Sequence, residues 1–342
     1  TTTGDGGHPA PALAFGAPGE DIGSTADAGT AGIVTFRHEN GEPVAAAAID
    51  QNSPGISGSV EPGDRFGAAV ELFQGPGGFS CGVTGVQGFT LVVGAPGEDL
   101  GSVRDAGMVH LAKNLKTDTP LSQNTAGVSG SGETGDQFGA SLALASYCEH
   151  DGPSHVKLAV GAPGEDLSGV RDAGMVHLFR TDDDELPLPQ AWSVHQDTAG
   201  VAGTAEAGDR FGTTLGFGGP WRDGVGEPLI IGTPGENVGS VVDAGVVQVF
   251  GDGTAAPGTG DVLLTQQHIG QTPETGDRFG AALTARHDYL YVGAPDDVTH
   301  PSGVVHGIEW ATVFGAPGTG LLIAPGADGV PTGASRFGTS LA

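Results

Sequence analysis

Carboxylates recur in this chain at fixed places. Glu20, Asp21 and Asp27 form a first set, Glu98, Asp99 and Asp105 a second, and Glu165, Asp166 and Asp172 a third. Glu236 and Asp243 form a fourth, with Asn237 where the others carry Asp. Each set sits in a Gly-Glu-Asp segment followed by Asp-Ala-Gly, the first copy in the looser form Asp27-Ala-Gly-Thr-Ala-Gly-Ile-Val34. Carboxylate and carbonyl oxygens gathered on a loop suit a hard cation, so each set is a candidate Ca²⁺ loop. Clustered carboxylates repel one another, and a divalent ion relieves that repulsion. The same residues have a second reading as turn chemistry, with Asp105 and its equivalents capping a tight turn and the Glu-Asp pairs solvated. Both readings stay open on sequence.

Other reactive residue types are sparse. Cys81 and Cys148 are the two cysteines, and they pair as a disulfide or remain free thiols. His110, His177 and His306 share one position of the pattern described below, with Thr35 and Gln248 in the other copies. Equivalent positions of a repeat are too far apart to share one zinc ion, so these histidines are expected on strand surfaces. Trp192, Trp221 and Trp310 follow no period, and Trp221 lies in a connection beside Arg222 and Asp223, where an aromatic serves as a ligand anchor or folds back on its own unit. No nucleophile elbow, phosphate-binding glycine loop or zinc-protease helix is present. The formal net charge of −28 disfavours nucleic acid and anionic membranes and favours cations or basic partners. No run of 18 apolar residues suited to spanning a bilayer occurs.

What must position these groups is an internal repeat. Gly-Asp-Arg-Phe-Gly occurs at 63–67, 208–212 and 276–280, Gly-Asp-Gln-Phe-Gly at 135–139, and Ser335-Arg-Phe-Gly338 closes the series. One strand-length run later comes Gly-Ala-Pro or a variant, at 16–18, 94–96, 161–163, 232–234 and 293–295. Gly and Pro are 63 and 23 of 342 residues, which reads as many short strands joined by many turns. The runs after each Phe-Gly, before each Gly-Ala-Pro, after each Asp-Ala-Gly, and a weaker fourth (Val44 to Ile49, Ala191 to His195, Val262 to Gln266) are strand-length and rich in β-formers. Each copy thus holds four strands, A to D. Four antiparallel strands repeated about an axis make one blade of a β-propeller.

The expected fold is therefore all-β, a propeller of four-stranded antiparallel blades, five by direct count, with six or seven as alternatives. Its repeats are 335–342 with 1–62, then 63–134, 135–207, 208–275 and 276–334, in a single domain over 1–342. The last eight residues are expected to supply strand A of the first blade, closing the ring and removing exposed strand edges. Phe66, Phe138, Phe211, Phe279 and Phe337 are expected to pack between blades, with Asp64, Asp136, Asp209 and Asp277 accepting backbone N–H bonds in the preceding turn. Strand direction places the B–C and D–A loops on one face, which collects the carboxylate sets together with Glu61, Glu133, Glu206 and Glu274. The A–B connections, which carry Cys81 and Cys148, leave from the opposite face.

Phe-Gly paired with Gly-Ala-Pro one strand apart, over nearly the whole chain, resembles the FG-GAP repeat family, which includes the integrin α-subunit head and many secreted bacterial proteins. The resemblance implies a propeller, an extracellular location, and adhesion or binding of a protein or glycan ligand. Calcium-binding members carry an acidic run between strands A and B. Here those connections are Gly75–Ser80, Glu149–Pro153, Pro220–Gly224 and Arg286–Asp288, without that run, so the family's calcium site has no counterpart at these positions. The leading functional expectation is a secreted, monomeric, non-catalytic binding or scaffold module, with Ca²⁺ as a candidate stabilising ion. The alternative is an extracellular hydrolase or lyase with a carboxylate-lined central channel.

Overall fold

Short β-forming runs cut by Gly, Pro and Asp turns build five sheets. A computed structural model describes residues 11–37, 40–73, 88–148, 154–181, 188–219, 227–251, 257–258, 260–316, 318, 320–327, 329–333 and 335–341. The first sheet holds β1 (Ala12–Ala17), β2 (Thr30–Phe36) and β3 (Pro43–Ile49). The second holds β4 (Ala69–Phe73), β5 (Thr90–Ala95), β6 (Met108–Lys113) and β7 (Thr117–Leu121). The third holds β8 (Ser141–Cys148), β9 (Ser154–Ala162), β10 (Met175–Thr181) and β11 (Gln190–Val194). The fourth holds β12 (Thr214–Phe217), β13 (Leu229–Thr233), β14 (Val246–Phe250) and β15 (Val262–Leu264). The fifth holds β16 (Ala282–Ala285), β17 (Tyr289–Ala294), β18 (Val304–Glu309) and β19 (Leu321–Ile323). Within each sheet the strands follow chain order, so each is a meander of the A to D kind. In the second sheet the register runs Ala69 opposite Gly94 and Val93 opposite His110. Among the described residues no helix is long and apolar enough to cross a membrane.

The chain divides into two compact units, Thr1–Leu158 with Leu178–Ala191, and Ala159–His177 with Trp192–Ala342. In the first, Ala31, Ile33 and Ile49 of the first sheet pack with Phe66 and with Leu91, Val93 and Ala95 of the second. In the second, Ile230, Val247, Val249 and Leu264 of the fourth sheet pack with Phe279, Leu290 and Val292 of the fifth. In each unit two consecutive sheets therefore share a core with a Phe of a Phe-Gly segment in it, Phe66 in one and Phe279 in the other; Phe138 and Phe211 are also fully buried, and Phe337, expected to pack alike, is half-buried. Such packing supplies most of the stability of a β architecture.

The glycines of the two sequence signatures explain each other. A Cβ on Gly94 would overlap the carbonyl oxygen of Gly139 at the start of the next sheet, and one on Gly16 would overlap that of Gly67. The same holds for Gly232 with Gly280 and Gly293 with Gly338. Phe-Gly and Gly-Ala-Pro recur together because their glycines touch across the joint between consecutive sheets. The Phe-Gly glycine also lies in the left-handed region, at φ 92° for Gly67.

Among the described residues no strand A forms from 335–341. Strands A begin two residues beyond the Phe-Gly glycine, which here is Ser340, and the described residues stop at Leu341. Thr339 N–H donates to the Arg336 carbonyl at 3.2 Å, the turn that leads into each of the other strands A (Ala68 to Arg65, Ala140 to Gln137, Thr213 to Arg210, Ala281 to Arg278), and among the described residues the first sheet has three strands. The C–D connection of the fifth sheet opens with a helical turn, α1 (Trp310–Val313).

Replacing Gly94 by Ala should cost about 3 kcal/mol or more, because backbone on both sides must move. Gly101, at φ 69° with open space around its Cβ direction, should accept Asn within about 0.5 kcal/mol. Denaturant titration checks both, and a small cost at Gly94 would refute the close joint.

Candidate functional site

The carboxylate sets lie in the B–C connections, and local backbone chemistry shapes them. After Ala95 the Glu98 N–H donates to the Ala95 carbonyl (3.2 Å), and Leu100 and Val103 bridge each other around Gly101. Asp99 then reaches across the loop, its Oδ1 accepting the N–H of Asp105 at 2.9 Å. The bond recurs from Asp27 to Asp21 at 3.0 Å and from Asp172 to Asp166 at 2.8 Å. In the fourth copy Asn237 accepts from Asp243 at 3.0 Å, so an uncharged amide does the same work. Asp27, Asp105, Asp172 and Asp243 all sit near φ 50°, a conformation that Asp tolerates better than most residues.

That conformation turns the loop outward to the next repeat. Arg65 N–H donates to the Asp27 carbonyl (3.0 Å) and Phe66 N–H to the Ala28 carbonyl (2.9 Å). Gln137 and Phe138 repeat these bonds to Asp105 and Ala106, and Arg278 and Phe279 to Asp243 and Ala244. Asp64, Asp136, Asp209 and Asp277 accept the N–H groups of Glu61, Glu133, Glu206 and Glu274, as their placement in the sequence predicts.

The glutamates separate from the aspartates beside them. Glu20 is exposed, whereas Glu98, Glu165 and Glu236 are buried. Glu98 accepts a hydrogen bond from Gln51 Nε2, and Glu236 accepts one from Gln196 Nε2. In the fifth sheet Gln266 Nε2 reaches Asp297 at 3.4 Å. These glutamines escape a search for acids and metal ligands. Their signal was nonetheless present: Gln51, Gln123, Gln196 and Gln266 each lie two residues beyond the end of a strand D. Burial pushes Glu98 up to about 7, with the Gln51 bond opposing and neighbouring carboxylates adding to the rise. Burial likewise pushes Asp64 up to about 6.

Tested against the calcium expectation, these loops split their oxygens between two tasks. The first Asp of each set, or Asn237, closes a turn, and the buried Glu98 and Glu236 face glutamine amides. Among the described residues no group of three or more His, Cys, Asp or Glu is placed to hold a metal ion.

The strand C histidines are not on strand surfaces. His110, His177 and His306 are all buried, because strand C is covered on both faces. His110 Nδ1 meets Asp118 Oδ2 at 2.7 Å, and its ring lies 5.1 Å from that of Phe66. Burial pushes His306 down to about 4, so it is neutral at physiological pH. Cys81, Trp221 and the acidic run Asp182–Glu185 lie outside the described residues; Cys148 is the last residue of β8. Glu71 in β4, half-buried, stands where other strands A carry Ala143, Gly216 and Thr284, and its burial pushes it up to about 7.

Set against known proteins, the chain matches no family model, and no curated protein matches it significantly.

The loop geometry yields a direct test. Asp99→Asn should keep stability within about 0.5 kcal/mol, and Asp99→Ala should lose about 1 kcal/mol with the turn bond. A chelator should leave the melting temperature unchanged. If Asn proved as damaging as Ala and calcium removal lowered the melting temperature, the loop would be a cation site.

Proposed function

We propose that this chain is a secreted, FG-GAP-type five-bladed propeller that acts as a non-catalytic binding or adhesion module for an extracellular protein or glycan. One observation carries the reading: a constant frame bears variable connections. The B–C connections span 12 residues in the first four sheets and 9 in the fifth. The A–B connections span 16, 5, 11 and 3 residues between Phe73 and Thr90, Cys148 and Ser154, Phe217 and Leu229, and Ala285 and Tyr289. Connections that vary in length and composition on a repeated frame are where binding surfaces arise. The net charge of −28 favours a basic partner surface.

Ring closure is part of this proposal. Leu13 in β1 and Leu321 in β19 remain 58% and 48% exposed, and a closed ring would cover them. Deleting residues 335–342 is expected to lower the melting temperature by several degrees; an unchanged value would overturn closure.

Glu71 favours a second reading, as an acid–base group of a hydrolase or lyase. Catalytic residues in a repeat protein stand out as exceptions to its period, and a carboxyl held near neutrality suits proton transfer.

Both readings meet in one experiment. The full chain is offered to a glycan array and a panel of basic extracellular proteins, and in parallel to polysaccharide and ester substrates. Saturable binding is expected, lost when 75–87 is replaced by a short Gly-Ser turn with the melting temperature preserved. Turnover abolished by Glu71→Gln would replace this reading with the enzymatic one.

A further inference from the structure

The first sheet ends in an edge unlike the other four. In every sheet strand D has a neighbour on one side only, and these strands are β3, β7, β11, β15 and β19. A row of unpaired N–H and C=O groups invites another chain, so natural sheets blunt such edges. Here β15 and β19 span three residues each, β7 carries Pro120 in its interior, and β11 spans five residues and opens with Gln190. Each is also met by the loop leaving the preceding sheet. Ser57 N–H donates to Asp118 Oδ2 at 3.1 Å, and Ser129 N–H to Gln190 Oε1 at 2.7 Å. A Cβ on Gly258, ahead of β15, would overlap the Ala199 carbonyl oxygen, and one on Gly320, ahead of β19, would press on Ile269.

β3 is not blunted in these ways. At seven residues it is the longest strand D, and its one proline, Pro43, stands at the first position. Pro43 to Ala48 are all exposed, and only Ile49 is buried. No charge falls between Pro43 and Ile49, and four consecutive alanines leave both faces of the strand bare. The ladder with β2 shows which backbone groups are free. The Thr30 and Thr35 hydroxyls donate to the Ile49 and Ala45 carbonyls, at 2.9 and 3.4 Å, and the Ala47 carbonyl oxygen lies against Gly32. Ala45, Ala47 and Ile49 therefore turn their backbone groups towards β2, and Ala46 and Ala48 turn theirs outward.

We propose that the free edge of β3 is a β-augmentation site for a partner protein, taking an extended segment that is small and apolar in its middle and basic at both ends. Main-chain bonds to Ala46 and Ala48 supply the pairing, and the bare alanine faces admit the partner's side chains. Charge selects the partner. Glu42 and Asp50 flank the strand, and Arg37 in the same hairpin offsets only one of them, within a chain of net charge −28. A second copy of the chain fits poorly. Antiparallel pairing of β3 with its own copy, centred on Ala46, sets Glu42 of each against Asp50 of the other. The edge lies across the sheet from β1, where a closing strand would pair, so the site is compatible with ring closure. It is also separate from the A–B connections, and its failure would leave binding by those connections standing.

Amide hydrogen exchange of the free full chain, read residue by residue by NMR, gives the first test. Ala46 and Ala48 should exchange fast, and Ala45 and Ala47 slowly. Slow exchange at all four means that the chain covers its own edge or pairs with a copy, and overturns the proposal. Fluorescence anisotropy then follows a labelled peptide, Lys-Lys-Val-Ala-Val-Ala-Val-Lys-Lys, and its counterpart with glutamates in place of the lysines. The lysine peptide is expected to bind saturably at a single site, and the glutamate peptide about tenfold more weakly or worse. Ala46→Pro (A46P) removes an outward N–H from an edge strand and leaves the β2 ladder intact, so it should weaken the lysine peptide about tenfold or more with the melting temperature preserved. Binding that survives A46P reports surface charge alone; that result, no binding, or equal binding of the two peptides would overturn the proposal. If A46P fails to fold, wild-type exchange decides. Added lysine peptide should slow Ala46 and Ala48, and unchanged rates refute the site.

Discussion

The structure depends on how closely one sheet can approach the next. At each joint a glycine ending strand B meets a glycine opening the following strand A, as Gly94 meets Gly139, with no room for a side chain on either. That approach lets Phe66 and its equivalents bridge the apolar faces of two sheets. It also brings the Asp-Ala-Gly turn within hydrogen-bonding reach of the next Phe-Gly. Move the sheets apart by the width of a methyl group, and the buried phenylalanines lose contacts while these backbone groups lose their partners.

This constraint sorts the loops. The B–C connection must end one strand, reverse, and deliver carbonyl groups to a fixed place on the neighbouring repeat. It is held at 12 residues in four sheets, with an Asp or Asn side chain closing it. The A–B connection varies in length and composition. Several of the acids that first suggest cation binding also close backbone turns, a task Asn237 performs without charge, and the buried Glu98 and Glu236 accept hydrogen bonds from glutamine amides.

Much of the fold was legible in the sequence because its constraints are local and repeated. Strand B could be read from an apolar run ending at Pro, strand A from Phe-Gly, and the Asp64-type turns from a carboxylate two residues before Phe. What escaped was set by tertiary neighbours. The histidines of strand C alternate like surface residues, yet they are buried, His110 against Phe66 and His306 against Phe279. Gln51 and Gln196 carry no charge to draw attention, and their partners come from a segment some 40 or more residues away.

The uniformity of the joints bears on how such a chain evolves. Four repeats offer an Asp-Ala-Gly turn forward to the Phe-Gly segment of the next, so neighbouring copies meet through the same contacts. In-register recombination within the gene can therefore add or remove a whole copy without inventing an interface. Selection can meanwhile reshape the long and short connections of individual copies one at a time. Duplication supplies the scaffold, and divergence is confined to places where it costs the scaffold little.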